Sequence, residues 1–209
     1  MPDGILFVIS APSGAGKTTL GGELLKKMPE IFYSVSVTTR PPRKGEKNGQ
    51  DYYFVSESEF NQRKDAGELI ECAQVHGYLY GTPRDFLVNN LKFGHDILLD
   101  IDVQGGRQIK KTFKDAVLIF IVPPSMSVLE SRLRGRHQDD ESVILKRLQA
   151  ARKEISAAGD YDYVIVNDQV SHAVDQLRAV ILAERTRMGR SRSAILKDLA
   201  AQNPVEKES

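Results

Sequence analysis

The stretch that decides the fold is Ile5-Leu6-Phe7-Val8-Ile9-Ser10-Ala11-Pro12-Ser13-Gly14-Ala15-Gly16-Lys17-Thr18-Thr19. It opens with a short apolar run rich in branched side chains, which predicts a strand buried on both faces. Pro12 and Gly14 follow this run, and from 17 to 28 leucines recur at helical spacing until Pro29 ends the pattern. A buried strand, a glycine-rich turn and a helix predict the first half of a βαβ unit.

The turn in this stretch approximates the P-loop pattern, which is Gly, four residues, then Gly-Lys-Ser/Thr. Gly16, Lys17 and Thr18 fit the pattern, whereas Ala11 stands where the first glycine is expected. Backbone N–H groups of such a loop bind anions, so Lys17 is predicted to reach the β- and γ-phosphates of ATP and Thr18 to bind Mg²⁺. A plain glycine turn is the alternative, but the strand–loop–helix context favours phosphate binding. The loop residues predicted to hold ATP are Ala11, Pro12, Ser13, Gly14, Ala15, Gly16, Lys17 and Thr18.

Beyond this stretch, apolar runs at 95–101, 116–122 and 163–167 predict further buried strands. Each run is followed by a helical pattern, at 105–111, at 127–134 and from 171 to about 188. Strands that alternate with helices predict an α/β fold in which a parallel sheet is covered by helices on both faces.

Two insertions interrupt this alternation. Short strands with polar alternation at 34–39, 52–55 and 69–73 are typical of a half-solvated antiparallel sheet. The sequence therefore predicts a P-loop core at 1–33 and 83–189, an inserted mixed β/α lobe at 34–82 and a polar C-terminal tail at 190–209. A short charged segment at about 135–141 is predicted to form a lid.

Composition limits the classes of protein that need consideration. The chain has 209 residues, and its 29 Lys and Arg against 28 Asp and Glu argue against a general nucleic-acid binder. No apolar run approaches the roughly 20 residues that span a bilayer, and no basic segment precedes the first apolar run. We therefore expect a cytoplasmic protein with no membrane partner. Its single cysteine, Cys72, has no partner for an internal disulfide, and the sequence leaves a homo-oligomer open.

Two acids and two arginines add candidate ligands. Asp100 and Asp102 end a buried run, and ligands bind at the carboxyl ends of parallel strands in open α/β sheets. Asp100 is the candidate for the water shell of Mg²⁺ or for the acceptor, whereas capping of the helix near Gln104 would also explain Asp102. Arg40 and Arg43 lie in a proline-rich loop and suit a phosphate dianion, with a solvated basic loop as the alternative.

Four motifs, in the same order along the chain, resemble those of guanylate kinases. They are Ser-Val-Ser-Val-Thr-Thr-Arg-Pro-Pro-Arg-Lys-Gly-Glu at 34–46, Tyr-Leu-Tyr-Gly-Thr at 78–82, Leu-Asp-Ile-Asp-Val-Gln-Gly at 99–105 and Val-Ile-Val-Asn-Asp at 164–168. The similarity runs from about 5 to about 187. Ala11 agrees with it as well, because bacterial members of this P-loop nucleoside monophosphate kinase family often read Ala-Pro-Ser-Gly there.

The resemblance implies transfer of a phosphoryl group from ATP to GMP with Mg²⁺ as cofactor, giving ADP and GDP. It implies GMP contacts by Ser36, Arg40, Arg43, Tyr52, Glu71, Tyr80, Thr82, Asp100 and Asp102, with Arg40, Arg43 and Tyr52 on the phosphate. It also implies that Arg132, Arg136 and Arg147 meet the ATP and that Asn167 approaches the adenine. The catalytic set would be Lys17, Arg40, Arg132, Arg136, Arg147 and Asp100. Glu71 would select guanine by accepting hydrogen bonds from its N–H donors.

Three alternatives stay open on the sequence alone. Some guanylate-kinase-like domains are non-catalytic protein-interaction modules, although these generally have a degraded P-loop. A related kinase would act on another phosphorylated sugar or nucleotide. Finally, the arginines near the C-terminus could contact RNA, although a solvated helix end is the more common explanation (Arg185, Arg187, Arg190 and Arg192).

Overall fold

The computed structural model of the chain describes residues 4–75, 77–135 and 140–187. Within these residues, the strands and helices alternate through most of the chain. In chain order they are β1 (Leu6–Ser10), α1 (Lys17–Lys27), β2 (Phe32–Tyr33), β3 (Val37–Thr38), β4 (Tyr53–Phe54), α2 (Glu57–Asp65), β5 (Leu69–Val75), β6 (Tyr78–Pro83), α3 (Arg84–Lys92), β7 (Ile97–Asp100), α4 (Val103–Thr112), β8 (Val117–Val122), α5 (Met126–Arg134), α6 (Glu141–Ile155), a 3₁₀ turn (Ser156–Asp160), β9 (Tyr163–Val166) and α7 (Val170–Thr186).

The core is a five-stranded parallel sheet in the order β2-β7-β1-β8-β9. Successive residues of a strand face opposite sides, so the fully buried β1 requires cover on both faces. Phe7 and Ile9 pack with apolar residues of α1 and α7, while Leu6 and Val8 pack with those of α3 and α4. The predicted parallel sheet with helices on both faces is confirmed. The two-residue strand β2 was not predicted, because two residues carry no periodic signal.

Residues within 37–83 form the second sheet, in the order β4-β3-β6-β5. β5 and β6 are antiparallel, as are β3 and β6, but β3 and β4 run parallel. The expectation of an antiparallel sheet is therefore wrong for this pair. The chain between β3 and β4, residues 39–52, is long enough to return to the starting end, since a parallel connection needs on the order of a dozen residues.

The outer strand of this sheet is joined to the core by a glutamine. The side chain of Gln108, on α4, donates to the Cys72 carbonyl (2.7 Å) and accepts from the Cys72 backbone N–H (3.2 Å). Cys72 lies on β5, so one side-chain amide forms with this strand the pair of hydrogen bonds that a neighbouring strand would form.

Several predictions fall outside the described residues. These are residues 136–139 of the predicted lid, including Arg136, the end of the last predicted helix at Met188 and the tail at 190–209. The last residue of the predicted lid segment, Glu141, already belongs to α6.

Near the C-terminus, Arg185 forms ion pairs with Asp96 (2.6 Å) and Glu30 (2.9 Å). Across the described ranges, no helix is both long enough and apolar enough to span a membrane.

Candidate active site

The P-loop connects β1 to α1 at the carboxyl edge of the core sheet. Gly14 and Gly16 have φ angles of 91° and 96°, a left-handed conformation that glycine adopts without steric cost. The Ala15 N–H donates to the Pro12 carbonyl (3.0 Å), which closes the turn. Gly16 caps α1 without a side chain, and the first turn of α1 contains no acidic residue. Its free N–H groups and partial positive charge therefore suit an anion.

Lys17 lies in the first turn of α1 and is held by the neighbouring strand. Its ammonium group forms an ion pair with Asp100, the last residue of β7, and donates to the Ile101 carbonyl (3.2 Å). The Asp100 side chain is only 6% exposed. These contacts place a cation and a carboxylate side by side at the carboxyl ends of β1 and β7. The ion pair itself was not predicted.

A cavity of about 210 Å³ joins the P-loop to the second sheet. Of the residues predicted for the site, those that line it are Ala11, Pro12, Ser13, Gly14, Gly16, Lys17, Thr18, Ser36, Tyr52, Glu71, Tyr80, Asp100 and Asp102. Residues that are far apart in sequence thus face one volume. Residues predicted for the ATP site and residues predicted for the GMP site therefore line the same cavity, while their contacts with the nucleotides stay predictions.

Glu71 is the buried carboxylate of the cavity, with 4% of the residue exposed. The buried Thr82 hydroxyl donates to its Oε1 (2.7 Å), so Thr82 orients Glu71 rather than lining the cavity itself. Burial raises the pKa of Glu71 to about 7, although the Thr82 hydrogen bond opposes this shift. The carboxylate approaches α4 closely: a Cβ on Gly105 would lie 2.7 Å from Oε2. The glycine of the Leu-Asp-Ile-Asp-Val-Gln-Gly motif therefore makes room for Glu71.

Asp102 performs the capping role that the sequence left open. It is the N-cap of α4, and its carboxylate accepts from the Gly105 N–H (2.9 Å) and from the Gln104 side chain (3.0 Å). It also lines the cavity. Capping and a GMP contact are therefore compatible for this residue, and the GMP contact stays a prediction.

Glu46 fixes the proline-rich loop that carries Arg40 and Arg43. No role was predicted for Glu46 from the sequence. One Glu46 oxygen accepts from the Arg40 guanidinium (2.8 Å) and the other from the Arg43 backbone N–H (2.7 Å). The Arg40 guanidinium also lies 5.3 Å from the centre of the Tyr52 ring, within the range of a cation–π contact. The sequence did contain a signal for this role, because the acidic Glu46 follows three cationic residues, Arg40, Arg43 and Lys44, in a short loop. Arg40 is buried, whereas Arg43 is exposed.

Two further ATP candidates, Asn167 and Arg132, are connected to the P-loop by hydrogen bonds. Arg132, on α5, donates to the backbone carbonyl of Asn167 (2.9 Å), and Arg147 is half-buried on α6. Asn167 is buried and donates from its side chain to the Ala15 carbonyl (2.7 Å). Arg136 lies outside the described residues. Among the described residues, Arg132, Arg147 and Asn167 do not line the cavity, and the contacts predicted for all four residues with ATP stay predictions.

Glu154, on α6, is a cavity-lining carboxylate that the sequence analysis did not identify. Burial raises its pKa, against the opposing effect of a hydrogen bond with the Ser13 backbone. α6 packs on α5, and Gly14 lies so close to Leu133 of α5 that a Cβ would be 2.8 Å from the leucine methyl. Glu154 reaches the P-loop through this packing of α6 on α5, which no local sequence pattern around Glu154 could predict.

A P-loop that faces a second sheet across one cavity is the arrangement expected of P-loop phosphotransferases that bind two substrates. The sequence matches the guanylate kinase family over residues 4–184. It is similar to the guanylate kinase of Geobacter sulfurreducens, with 50% identity over 92% of this chain and 95% of the relative. It is likewise similar to that of Bordetella pertussis, with 48% identity over 89% and 86%.

The same similarity holds for the fold. The crystal structure of guanylate kinase from Anaplasma phagocytophilum superposes with a TM-score of 0.82 at 38% identity, covering 97% of this chain and 96% of that one. The chain belongs to the guanylate kinase family. The function of this family is the phosphorylation of GMP by ATP.

Proposed function

We propose that this chain carries out the family's reaction, ATP + GMP → ADP + GDP, in the cavity between the P-loop and the second sheet. The observation that carries the proposal is the pairing, across one cavity, of a P-loop lysine with the buried carboxylate of Glu71. The lysine suits the phosphates of the donor, and the carboxylate suits a base that presents N–H donors.

The donor side consists of the P-loop and the N-terminus of α1. The uncapped N–H groups of α1 suit the β- and γ-phosphates, and Lys17 adds a full positive charge beside them. Arg132, Arg136 and Arg147 would add further positive charge. In this proposal they neutralise the phosphoryl group while it is transferred.

The acceptor side consists of residues of the second sheet. Glu71 would accept two hydrogen bonds from guanine, oriented by Thr82, and the hydroxyls of Ser36 and Tyr80 line the same cavity. Arg40, Arg43 and Tyr52 would hold the GMP phosphate, with Glu46 fixing the loop that carries the arginines. The buried Glu71 rejects adenine because adenine would leave the carboxylate without its partners.

The chemistry requires positioning and charge neutralisation more than proton transfer. A nucleoside monophosphate has a second pKa of about 6, so the nucleophile is mostly a dianion at neutral pH. Its main obstacle is repulsion by the phosphates of ATP, and the cations around the cavity reduce that repulsion. A general base and a covalent intermediate are therefore unnecessary.

The donor set fits Mg²⁺. This ion prefers oxygen ligands and is commonly bound through one or two carboxylates together with substrate phosphates. The Thr18 hydroxyl and the Asp100 carboxylate both line the phosphate end of the cavity. When bound, Mg²⁺ would neutralise phosphate charge. The ion pair with Lys17 orients the Asp100 carboxylate. We place the whole reaction in the cytoplasm.

The proposed function is tested by comparing GMP, AMP, CMP and UMP as acceptors in a coupled assay that measures ADP release with ATP and Mg²⁺. We expect turnover with GMP and rates lower by about 10⁴-fold with the others, as for sites built around substrate hydrogen bonds. Equal rates with AMP would reject guanine selection. No turnover with any acceptor would favour a non-catalytic module.

Replacing Gly105 by alanine is expected to weaken GMP binding selectively. The new methyl group would lie 2.7 Å from Glu71 Oε2 and 3.2 Å from a methyl of Ile101, so the carboxylate must move. We expect the KM for GMP to rise about tenfold, the cost of weakening one charge-assisted hydrogen bond, with the KM for ATP unchanged. Steady-state kinetics with each substrate varied in turn measure both values.

Gly22→Ala is the matched control, because Gly22 lies on the exposed side of α1 with no atom within 4 Å of its would-be Cβ. Its kinetic constants should equal those of the parent. An unchanged KM for GMP in Gly105→Ala would show that the position of Glu71 does not determine GMP affinity.

A further inference from the structure

Asn167 makes a long-range contact with the phosphate-binding loop. It directly follows β9, is 2% exposed, and donates from Nδ2 to the Ala15 carbonyl at 2.7 Å. The two residues are 152 positions apart in the sequence. The hydrogen bond is buried, so water does not compete for it, and a buried carbonyl left without a partner is costly.

This hydrogen bond determines which way one peptide group of the loop points. In a planar trans peptide, the C=O and the following N–H point in opposite directions. Asn167 holds the Ala15 carbonyl on the side away from the cavity, where Ala15 itself is fully buried. The N–H of Gly16 therefore points to the opposite side, and Gly16 lines the cavity. A rotated Ala15–Gly16 peptide would present a carbonyl to the phosphates instead.

Close packing supports the same peptide orientation. A Cβ on Gly16 would lie 2.4 Å from Asn167 Nδ2, so the amide rests directly against the glycine. The Ala15 carbonyl determines the orientation of the Asn167 side-chain amide, because a flipped amide would place Oδ1, a second acceptor, against this carbonyl. Oδ1 is buried and has no hydrogen-bond partner among the described residues. In this conformation the side chain presents no polar atom to a nucleotide base.

Asn167 is itself fixed by two backbone contacts. Its N–H donates to the Val122 carbonyl of β8 (2.8 Å), and its carbonyl accepts from Arg132 of α5 (2.9 Å). The residue thus joins the core sheet, α5 and the P-loop. We propose that Asn167 is a positioning residue that holds the Ala15–Gly16 peptide in the orientation that binds phosphate. This role differs from the adenine contact that the sequence resemblance implies, and it rests on the proposed binding of ATP by the P-loop.

The test is titration calorimetry of Asn167→Ala with three probes: ATP with Mg²⁺, inorganic tripolyphosphate and GMP. Loss of the hydrogen bond is expected to weaken ATP and tripolyphosphate by about tenfold each, with GMP unchanged. Tripolyphosphate has no base, so it separates a role in the loop from a contact with adenine. The control is Tyr163→Phe. Tyr163 lies on β9, the strand that precedes Asn167, and the substitution removes its hydrogen bond to Glu184 of α7 (2.7 Å). All three affinities should be unchanged in the control.

Asn167→Asp is the second variant, because it keeps the shape of the side chain but sets an oxygen against the Ala15 carbonyl. We expect it to bind tripolyphosphate at least as weakly as the alanine variant. The proposal is overturned if a folded variant loses affinity for ATP but not for tripolyphosphate, or loses affinity for GMP to the same extent. If the parent protein fails to phosphorylate GMP while Asn167→Ala still weakens tripolyphosphate, the proposed acceptor is rejected and the positioning role is supported.

Discussion

Lys17→Met is expected to lower kcat for GMP phosphorylation by about 10³-fold, the effect typical of removing one preorganised group that stabilises transition-state charge. The reason lies in the geometry of the cavity. Lys17 is the P-loop cation, and its ammonium group lies beside the site assigned to the β- and γ-phosphates. The measurement is the coupled assay at saturating ATP and GMP.

The ion pair with Asp100 complicates this substitution. Methionine leaves the Asp100 carboxylate, whose side chain is 6% exposed, without its cation, and such a loss destabilises a folded protein. The double variant Lys17→Met/Asp100→Asn removes the uncompensated charge. We expect it to recover thermal stability but not turnover, because the phosphates still lack their cation.

Lys17→Arg supplies a further comparison because it keeps the charge but changes its geometry. Turnover between that of the parent and that of the methionine variant is expected. A methionine variant that forms GDP at the parental rate would remove the basis of the proposed mechanism.

Glu71→Gln is expected to lower kcat/KM for GMP by about 10²-fold or more, because two hydrogen bonds to a charged group are worth about 1.5–3 kcal/mol each. The amide can accept one hydrogen bond, but its NH₂ group opposes the second N–H of guanine. ATP affinity should change little, and the preference for GMP over AMP should decrease. The matched control is Glu68→Gln, the same substitution at an exposed position before β5. A retained GMP preference would contradict the role of Glu71.

The same variant tests the pKa of Glu71, which burial raises to about 7. The proposed recognition of guanine requires the ionised Glu71 carboxylate, so GMP affinity should fall as the pH drops below about 7. Because this pKa lies above that of the unfolded chain, the folded protein binds the proton more tightly. The resulting contribution to stability is complete below about 4.5 and is lost as the pH rises through about 7. In Glu71→Gln, GMP affinity and stability should both depend less on pH, apart from the effect of titrating the GMP phosphate on affinity.

Local sequence patterns predicted four of the five strands of the core sheet, β1, β7, β8 and β9, because each contains a short apolar run; β2 has only two residues and was missed. β1 and β8 are continuous apolar runs, and the glycines after β1 sit where the chain needs positive φ. The parallel pairing of β3 and β4 was not predictable in this way. Polar alternation shows that one face of a strand is solvated, but it does not show the direction of the neighbouring strand.

The site was predicted unevenly for a related reason. The P-loop is contiguous in sequence, and Glu71 was assigned through the resemblance, but neither pattern nor motif indicated the contact of Asn167 with Ala15 or the approach of Glu154. Both depend on how α5, α6 and β9 pack around the loop. Glu46 lay within a recognised motif, yet its role became clear only from its two hydrogen bonds. The roles assigned to these residues toward the nucleotides stay predictions.

The hydrogen bonds between Gln108 and Cys72 have a consequence for self-association. β5 is an outer strand, and such strands offer unsatisfied backbone groups to which a foreign strand can add, the first step of edge-to-edge aggregation. Gln108 occupies both groups of one residue near the middle of β5. Gln104, also on α4, donates to the Gln74 carbonyl of the same strand (3.2 Å). An incoming polypeptide would have to displace both side chains before it could pair along β5, so α4 opposes strand addition at this edge.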